Sequence, residues 1–163
     1  MIIRKPEQED IKGLINLSKK FSRQYKWAEN IPVGRINTYC KAEDWLFGES
    51  IYRVLIACTK DKTIGYLGIN EFKEGYEASI LVDPEYQGQG VGRKLTDQVF
   101  KEIPEQVEVE AWVADFNKKS LDITPKLGFK LKRKFKEKNF IPDEEFTVYI
   151  FARRGDGETR DTI

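Results

Sequence analysis

The feature that most constrains this chain is a run of closely spaced glycines between a strand-like segment and a helix-like segment. Gly88, Gly90 and Gly92 follow the apolar residues 78–82 and begin a stretch in which Val91, Leu95, Val99 and Ile103 recur every fourth position. Glycine permits a sharp turn and lets a ligand approach the backbone amides closely. At a helix start, unpaired amides and the helix dipole favour an anion such as phosphate. The sequence therefore predicts a strand, an anion-binding loop and a helix in succession.

The loop differs from the two common glycine-rich nucleotide motifs. The Rossmann pattern G-x-G-x-x-G would need glycine where Arg93 stands, and the P-loop would need Gly-Lys-Ser/Thr. The loop also follows three β-rich segments, residues 52–59, 63–72 and 76–82, which are separated by short turns and predict an antiparallel meander. A dinucleotide fold instead carries its loop after its first strand. Both nucleotide interpretations are therefore excluded.

Helical and strand-like patterns on either side of the meander predict an α+β domain. Helical spacing covers residues 7–25 and 33–47, with Gly48 as the stop, and residues 91–103. A short opening strand is predicted at 2–5, a strand at 107–113, a short helix from the N-cap Asn117 to residue 121, and strands after Phe129 and at 146–152. Strand, helix and strand over 76–113 predict a parallel crossover. We expect one domain over residues 1–153 and a polar, flexible tail over 154–163.

The composition excludes several kinds of catalytic mechanism and metal site. The 163 residues include no histidine, which excludes Ser-His-Asp and Cys-His catalysis and most zinc sites, so no metal is expected. Cys40 and Cys58 lie in apolar patterns without metal-ligand spacing, so we interpret both as small buried hydrophobes. Neither has a base partner, which argues against a covalent acyl-enzyme.

Charge and hydropathy argue against nucleic acid and membranes as partners. Lys and Arg number 28 against 27 Asp and Glu, a formal net charge of +1. The lysine-rich stretch 130–136 alternates with Leu131 and Phe135, which predicts a solvated strand with the lysines on one face. The start of the chain lacks the pattern of a signal peptide, and no apolar run approaches the ~20 residues of a membrane span. We therefore expect a soluble, cytoplasmic protein.

Longer motifs around the loop resemble a known family. The stretch 87–92, Gln-Gly-Gln-Gly-Val-Gly, matches Gln/Arg-x-x-Gly-x-Gly/Ala, and residues 82–86, Val-Asp-Pro-Glu-Tyr, extend the match. Downstream, residues 117–120 and 126–129 look like the family elements Asn-x-x-Ala/Ser and Lys-x-Gly-Phe. Together these residues resemble the GNAT superfamily of acetyl-CoA-dependent N-acetyltransferases, whose element order matches the predicted one from end to end. The resemblance implies a mixed, twisted sheet of about six to seven strands with a splayed central pair, flanked by about four helices.

The resemblance also implies a set of coenzyme contacts. The pyrophosphate of acetyl-CoA would lie on the loop amides, with Arg93 as a nearby cation, and the pantetheine arm would bond main-chain groups of Leu81 and Val82. One of those two amides would polarise the thioester carbonyl. Asn117 and Ser120 match positions near the pantetheine and ribose-phosphate, and the N-cap role of Asn117 is compatible with this. The implied loop residues are Gln87, Gly88, Gln89, Gly90, Val91 and Gly92.

The implied catalytic residues depart from the family pattern. Thr124 stands where the family often has a tyrosine acid, and Pro125 should interrupt any helix and bias Thr124 away from helical geometry. A thiol of pKa ~8.5 is a tolerable leaving group without an acid, although another tyrosine could also contribute. Several family members carry a glutamate base on the strand before the loop, and Tyr76 occupies the position that aligns with it. The neighbouring Glu77 and Glu71 on the previous strand are the carboxylate candidates for the base. The simpler interpretation of each glutamate is a solvated hairpin charge.

Asp115, ahead of Asn117, is a third acidic candidate for base or amine binding, and Tyr25 or Trp27 could border the acceptor pocket. The function implied is direct acetyl transfer from acetyl-CoA to a primary amine of a small molecule, peptide or protein in a ternary complex. The alternative is a coenzyme A-binding module with little or no transferase activity. The acceptor is not specified by any motif, and the sequence leaves a monomer and a homodimer both open.

Overall fold

The chain folds around one mixed β-sheet. The computed structural model describes residues 1–138 and 145–157, and within these ranges the sheet has seven strands in the order β1-β2-β3-β4-β5-β7-β6. The strands are β1 (Ile2–Arg4), β2 (Ile51–Cys58), β3 (Thr63–Phe72), β4 (Gly75–Val82), β5 (Glu108–Ala114), β6 (Lys130–Glu137) and β7 (Phe146–Arg154). The helices are α1 (Asp10–Gln24), α2 (Tyr39–Phe47), α3 (Val91–Lys101) and α4 (Lys118–Lys126). The expected mixed sheet and helix arrangement are confirmed.

The predicted meander is present as β2, β3 and β4, which pair antiparallel in sequence order. Only the β4–β5 pair is parallel among the described strands. This is the crossover predicted from the strand–helix–strand succession, because parallel neighbours need a long connection, here the loop and α3. The crossover places the glycine loop at the end of β4, in the middle of the sheet.

Alternation of side chains along the strands gives the sheet two buried faces. We call them the α3 face and the α1 face. On the α3 face, Leu67, Val109 and Val113 form one core cluster with the apolar side of α3, and Ile80 and Val82 pack against it. On the α1 face, strand residues join a second cluster with α1 and α2, including Ile56, Tyr66 and Leu81. Since neighbours along a strand point to opposite faces, β4 contributes to both cores.

The second predicted helix is shorter than expected. Residues 33–47 were predicted as helical, but Pro32–Arg35 is a short 3₁₀ turn and α2 begins only at Tyr39. The hydroxyl of Ser18 on α1 donates to Val33 O (2.6 Å) and accepts from the Ile36 amide (3.1 Å). These bonds and the full burial of Ile36 hold the segment in a non-helical path. Local spacing alone does not reveal this tertiary anchor.

The expectation for residues 121–125 is wrong. The helix that begins after Asn117 continues to Lys126 and includes both Thr124 and Pro125. A proline removes one backbone donor, and near the end of a helix this costs a single hydrogen bond. The Leu127 amide still bonds Ile123 O and Thr124 O at 3.1 Å, so the final turn closes normally.

Strand β6 carries a bulge that separates its two apolar residues. Leu131 pairs with Phe151, whereas Phe135 pairs with Val148, and the register shifts between Leu131 and Arg133. One inserted residue reverses the alternation, so Leu131 and Phe135 point to opposite faces, contrary to the prediction. Leu131 is 56% exposed.

Two further expectations concern the surface. Cys58 is buried as predicted, but Cys40 is exposed near the start of α2, because that position faces solvent rather than the core. The first residues of the predicted tail form hydrogen bonds to the end of α3 and the residues after it: the Asp156 amide bonds Phe100 O (2.9 Å) and the Gly157 amide bonds Ile103 O (2.8 Å). Residues 158–163, the rest of that tail, lie outside the described residues. No helix in the described ranges is both long and apolar enough to cross a membrane.

Candidate active site

The two central strands separate and leave a cleft. Strands β4 and β5 pair only through Tyr76 with Val109 and Glu77 with Glu110. Beyond these pairs, residues 78–82 and residues 111–114 have no partner in each other's strand, although β4 still pairs with β3 and β5 with β7. The expected splayed pair is therefore present. The apex of the cleft lies at Glu77, and its wide end lies at the glycine loop.

The backbone of β4 offers unpaired groups to this cleft. The Asp83 amide donates to Ile64 O on the β3 side (2.8 Å). Because backbone groups alternate in direction along a strand, the Leu81 amide also points to β3, whereas the amides of Ile80 and Val82 point toward the cleft. The Leu81 side chain is buried on the α1 face. The geometry thus favours Val82 over Leu81 as a main-chain ligand and adds Ile80, which the sequence did not single out.

The glycine loop presents a row of unpaired amides. Gly88 (φ +78°) and Gly90 (φ +82°) adopt left-handed backbone conformations, which other residues reach only with strain. Gly90 is the N-cap of α3, and no side chain caps this helix. Within the described residues, the amides of 87–93 donate no hydrogen bond to the chain, and the first helical bond comes from the Lys94 amide to Gly90 O. Such a row suits an anion.

The Gln87 side chain links β4 to Tyr25, directly after α1, and to Lys119 of α4. Its side-chain nitrogen donates to Val82 O on β4 (3.3 Å), while its Oε1 accepts from Tyr25 Oη (3.0 Å) and Lys119 Nζ (3.0 Å). The Lys119 ammonium also lies 5.3 Å from the Tyr25 ring centroid. Three parts of the chain that are distant in sequence therefore meet at the mouth of the cleft: Tyr25 directly after α1, the glycine loop and α4.

The other predicted coenzyme residues lie around α4. Asn117 caps α4, accepting the Ser120 amide at 3.2 Å, so its structural role is present. Within the described part of the chain, neither the Asn117 side-chain nitrogen nor the Ser120 hydroxyl forms a hydrogen bond, and both residues are half-buried. The exposed Arg93 guanidinium donates to Lys126 O at the end of α4, which braces α3 against α4.

The three predicted catalytic candidates do not share one face of the sheet. Tyr76 packs against the α3-face core, and its registered partner Glu71 lies on the same face and is exposed. Burial, followed by the nearby charges of Glu71 and Tyr52, raises the pKa of Tyr76, so its phenol stays protonated at neutral pH. Glu77, the next residue, points to the α1 face.

Glu77 lies at the apex of the cleft, in register with Glu110 of β5 and Asn70 of β3. It is half-buried, and among the described residues it has no hydrogen-bond or ion-pair partner. Burial, and then the like charge of Glu110, raises the pKa of Glu77. Glu110 differs in that Lys132 Nζ (3.6 Å) and Arg133 (3.8 Å) flank its carboxylate. Glu77 thus lies at the apex of the cleft, and its raised pKa makes its carboxylate more basic than an ordinary glutamate.

Aromatic rings line the α1-face side of the wide end. Tyr25 contacts Trp27 (5.4 Å between centroids), Trp27 contacts Phe116 (5.6 Å), and Phe116 contacts Phe146 (5.3 Å). This row runs from α1 across to β7. Asp115 does not face an open site, because its carboxylate accepts the Thr147 amide (2.9 Å) and its own amide bonds Thr147 O.

A family model now adds to this geometry. Residues 16–129 match the model of the acetyltransferase (GNAT) family. The chain belongs to the GNAT family. No curated protein sequence is significantly similar to this one.

Solved structures show the same GNAT fold at low identity. The smu.2055 protein of Streptococcus mutans UA159 is 21% identical, with a TM-score of 0.79 and coverage of 94% of this chain and 99% of the other. The yncA protein of Salmonella typhimurium with its cofactor acetyl-CoA is 17% identical (TM-score 0.73, covering 99% and 98%). A phosphinothricin acetyltransferase of Sinorhizobium meliloti in complex with acetyl-CoA is also 17% identical (TM-score 0.75, covering 98% and 94%).

Two residues of this GNAT protein near the cleft were not predicted. Lys119 lies within residues 117–120, the stretch that resembles the family element Asn-x-x-Ala/Ser, so its place in this motif could have indicated a position near the coenzyme. Lys20 forms ion pairs with Asp83 (2.9 Å) and Glu85 (2.8 Å) at the start of the loop. It lies 63 residues from Asp83 in the sequence, and no local pattern indicates that pairing.

Proposed function

We propose that this protein transfers the acetyl group of acetyl-CoA to a primary amine by direct attack in a ternary complex. The observation that carries the proposal is the cleft between β4 and β5, which ends in a row of unpaired amides at residues 87–93. A phosphate-bearing coenzyme with an extended arm fits such a site, since the amides bind the anion and the free strand edge binds the arm. Catalysis in the cytoplasm is part of the same proposal.

In this proposal the pyrophosphate lies on the amides of Gln87, Gly88, Gln89, Gly90, Val91 and Gly92. Arg93 and Lys119 add positive charge there, and Asn117 and Ser120 offer unpaired polar groups beside the arm. The pantetheine amides pair with the cleft-facing groups of Ile80 and Val82. One of these two strand amides polarises the thioester carbonyl and stabilises the oxyanion that forms on attack.

Glu77 is the proposed base, acting directly or through one water. The amine nitrogen attacks the thioester carbon, the carbon–sulfur bond breaks, and the amine proton passes to the Glu77 carboxylate. Its raised pKa supports this role, because a more basic carboxylate removes the proton more readily. The sulfur leaves as coenzyme A thiolate, for which Thr124 supplies no useful acid. Glu71 and Tyr76, on the opposite face, are not part of this mechanism.

The acceptor reaches Glu77 from the α1 face, because α3 covers the other face of the cleft. A cavity of about 730 Å³ between α2 and the end of β3 reaches Asn70, the registered neighbour of Glu77. Its lining includes Glu43, Asp44 and Glu49, and among the described lining residues there is no lysine or arginine. This charge favours a cationic amine, small or carried by a peptide or protein.

The test measures thiol release from acetyl-CoA across a panel of amines and peptides that includes polyamines and lysine peptides. We expect turnover with at least one cationic acceptor, a large loss of kcat in Glu77→Gln, and little change in the matched control Glu71→Gln. Retention of wild-type kcat and pH dependence in Glu77→Gln would remove Glu77 as the base.

Thr124, in place of a tyrosine acid, favours one alternative, a coenzyme A-binding module with little or no transferase activity. Calorimetric binding of acetyl-CoA without turnover on any acceptor would support this alternative. Absence of binding in the wild-type protein would contradict both functions.

A further inference from the structure

We propose that Lys20 of α1 is a positioning residue for the coenzyme loop, acting through the buried carboxylate of Asp83. This inference rests on the proposed function, since it concerns how the loop is held ready for acetyl-CoA. Lys20 lies outside the cleft and acts on the loop from the opposite end to the unpaired amides.

Asp83 lies between the end of β4 and the 3₁₀ turn that leads into the glycine loop. Its side chain is 3% exposed, its amide bonds Ile64 O (2.8 Å), and its carbonyl accepts the Tyr86 amide (2.8 Å). Its carboxylate also accepts the Glu85 amide (2.9 Å), which caps the 3₁₀ turn Pro84–Tyr86 directly before Gln87. The orientation of this one carboxylate therefore helps to set the path of the chain into the loop.

A buried carboxylate needs a cation, and α1 supplies the nearest one. Lys20 Nζ lies 2.9 Å from Asp83 and 2.8 Å from Glu85, whereas Lys62 Nζ lies 3.6 Å and 3.5 Å from the same carboxylates. Burial alone would raise the pKa of Asp83, but hydrogen bonds from Lys20 and the Glu85 amide, together with the charges of Lys20 and Lys62, outweigh it and lower the pKa. Removal of Lys20 would leave the carboxylate buried with only the more distant Lys62.

The same helix reaches the other end of the segment. Tyr25, directly after α1, donates its hydroxyl to Gln87 Oε1 (3.0 Å). The stretch from Lys20 to Tyr25 thus contacts residues 83–87 at both ends, with Lys20 of α1 at the start and Tyr25 at the finish. Because α1 packs on the face from which the acceptor approaches, it links that side of the molecule to the coenzyme loop.

The experiment measures acetyl-CoA affinity by calorimetry, with thermal melts in parallel, for Lys20→Met, Lys20→Arg and the matched control Lys19→Met. Lys19 is exposed on the same helix and has no partner among the described residues. We expect Lys20→Met to weaken binding about 10-fold at a temperature well below its melting point, and Lys20→Arg to restore most of the affinity. With a measurable acceptor, the KM for acetyl-CoA should rise with little change in kcat.

The outcomes separate the possible roles. An equal loss in Lys19→Met would reduce Lys20 to general attraction for a polyanion and overturn the proposal. Wild-type affinity in a folded Lys20→Met, or a lower melting temperature alone, would also overturn it. Failure of the wild-type protein to bind acetyl-CoA would instead refute the proposed function.

Discussion

Substitution of Gly90 by alanine tests the coenzyme loop directly. Gly90 caps α3 in a left-handed conformation (φ +82°), and a Cβ built there meets no heavy atom within 4 Å. The methyl group would therefore cause no clash inside the protein. It would project from the loop whose unpaired amides are proposed to hold the pyrophosphate.

The size of the effect follows from two separate costs. An L-residue in the left-handed region costs roughly 1–2 kcal/mol, which bounds the expected loss of folding stability. If the free loop relaxes to relieve this strain, binding must restore the strained geometry at the same cost. Loss of one charge-assisted hydrogen bond to phosphate adds about 1.5–3 kcal/mol. Both effects together, about 2.5–5 kcal/mol, predict coenzyme binding weaker by about 60-fold to a few thousand-fold.

Titration calorimetry with acetyl-CoA, accompanied by denaturant unfolding, measures both costs. Gly128→Ala is the matched control, because Gly128 also has a positive φ (+91°) but follows α4 instead of beginning α3. Gly128→Ala should lose at least as much stability, because its Cβ would also lie 3.3 Å from the Arg153 side chain, and only Gly90→Ala should lose affinity. Unchanged affinity in a folded Gly90→Ala would refute the placement of the pyrophosphate on this loop.

Three further substitutions test the stability of the described structure. Glu77→Gln should raise the melting temperature at pH 7 but not at pH 4, as melts at both pH values would check. The folded state raises the pKa of Glu77, so its ionised carboxylate destabilises the fold at pH 7, whereas the protonated form at pH 4 does not. Asp83→Asn should lower stability at pH 7. Because folding lowers the pKa of Asp83, the ionised carboxylate stabilises the wild-type protein at pH values above the ordinary carboxyl pKa, and this stabilisation is lost as the pH falls. The unfolding midpoints of the two proteins, measured from pH 3 to 7, should therefore converge toward the acidic end. Leu95→Ala, at a fully buried α3 position, should cost about 2–5 kcal/mol in urea unfolding, and a cost below ~1 kcal/mol would contradict its place in the core.

Much of the fold could be predicted from local patterns. The strand predicted at 63–72 matches β3 to the residue, and the Gly48 stop matches the end of α2. These elements agree with prediction because alternation, turn residues and caps act over a few neighbouring positions. Two of the failures have distant causes: Ser18 redirects the backbone around Ile36, and the pairing of β6 with β7 contains a bulge.

For the candidate site too, the features that depend on adjacent residues could be predicted and those that depend on the fold could not. Glycine spacing indicated an anion-binding loop, and the longer motif suggested its coenzyme, since both depend on contiguous residues. The catalytic candidates Glu71, Tyr76 and Glu77 could not be ranked from the sequence. Their ranking depends on which sheet face each occupies and on where β4 leaves β5.

The sequence by itself determined the strand–loop–helix unit, because glycine conformations and helical periodicity are properties of adjacent residues. Only the tertiary structure decided that Glu77 lies at the apex of the cleft and that Lys20 reaches Asp83. Both follow from strand register and helix packing, which bring together residues far apart in the chain. Burial then raises the pKa of Glu77, whereas the hydrogen bonds and charge that Lys20 supplies outweigh burial and lower the pKa of Asp83.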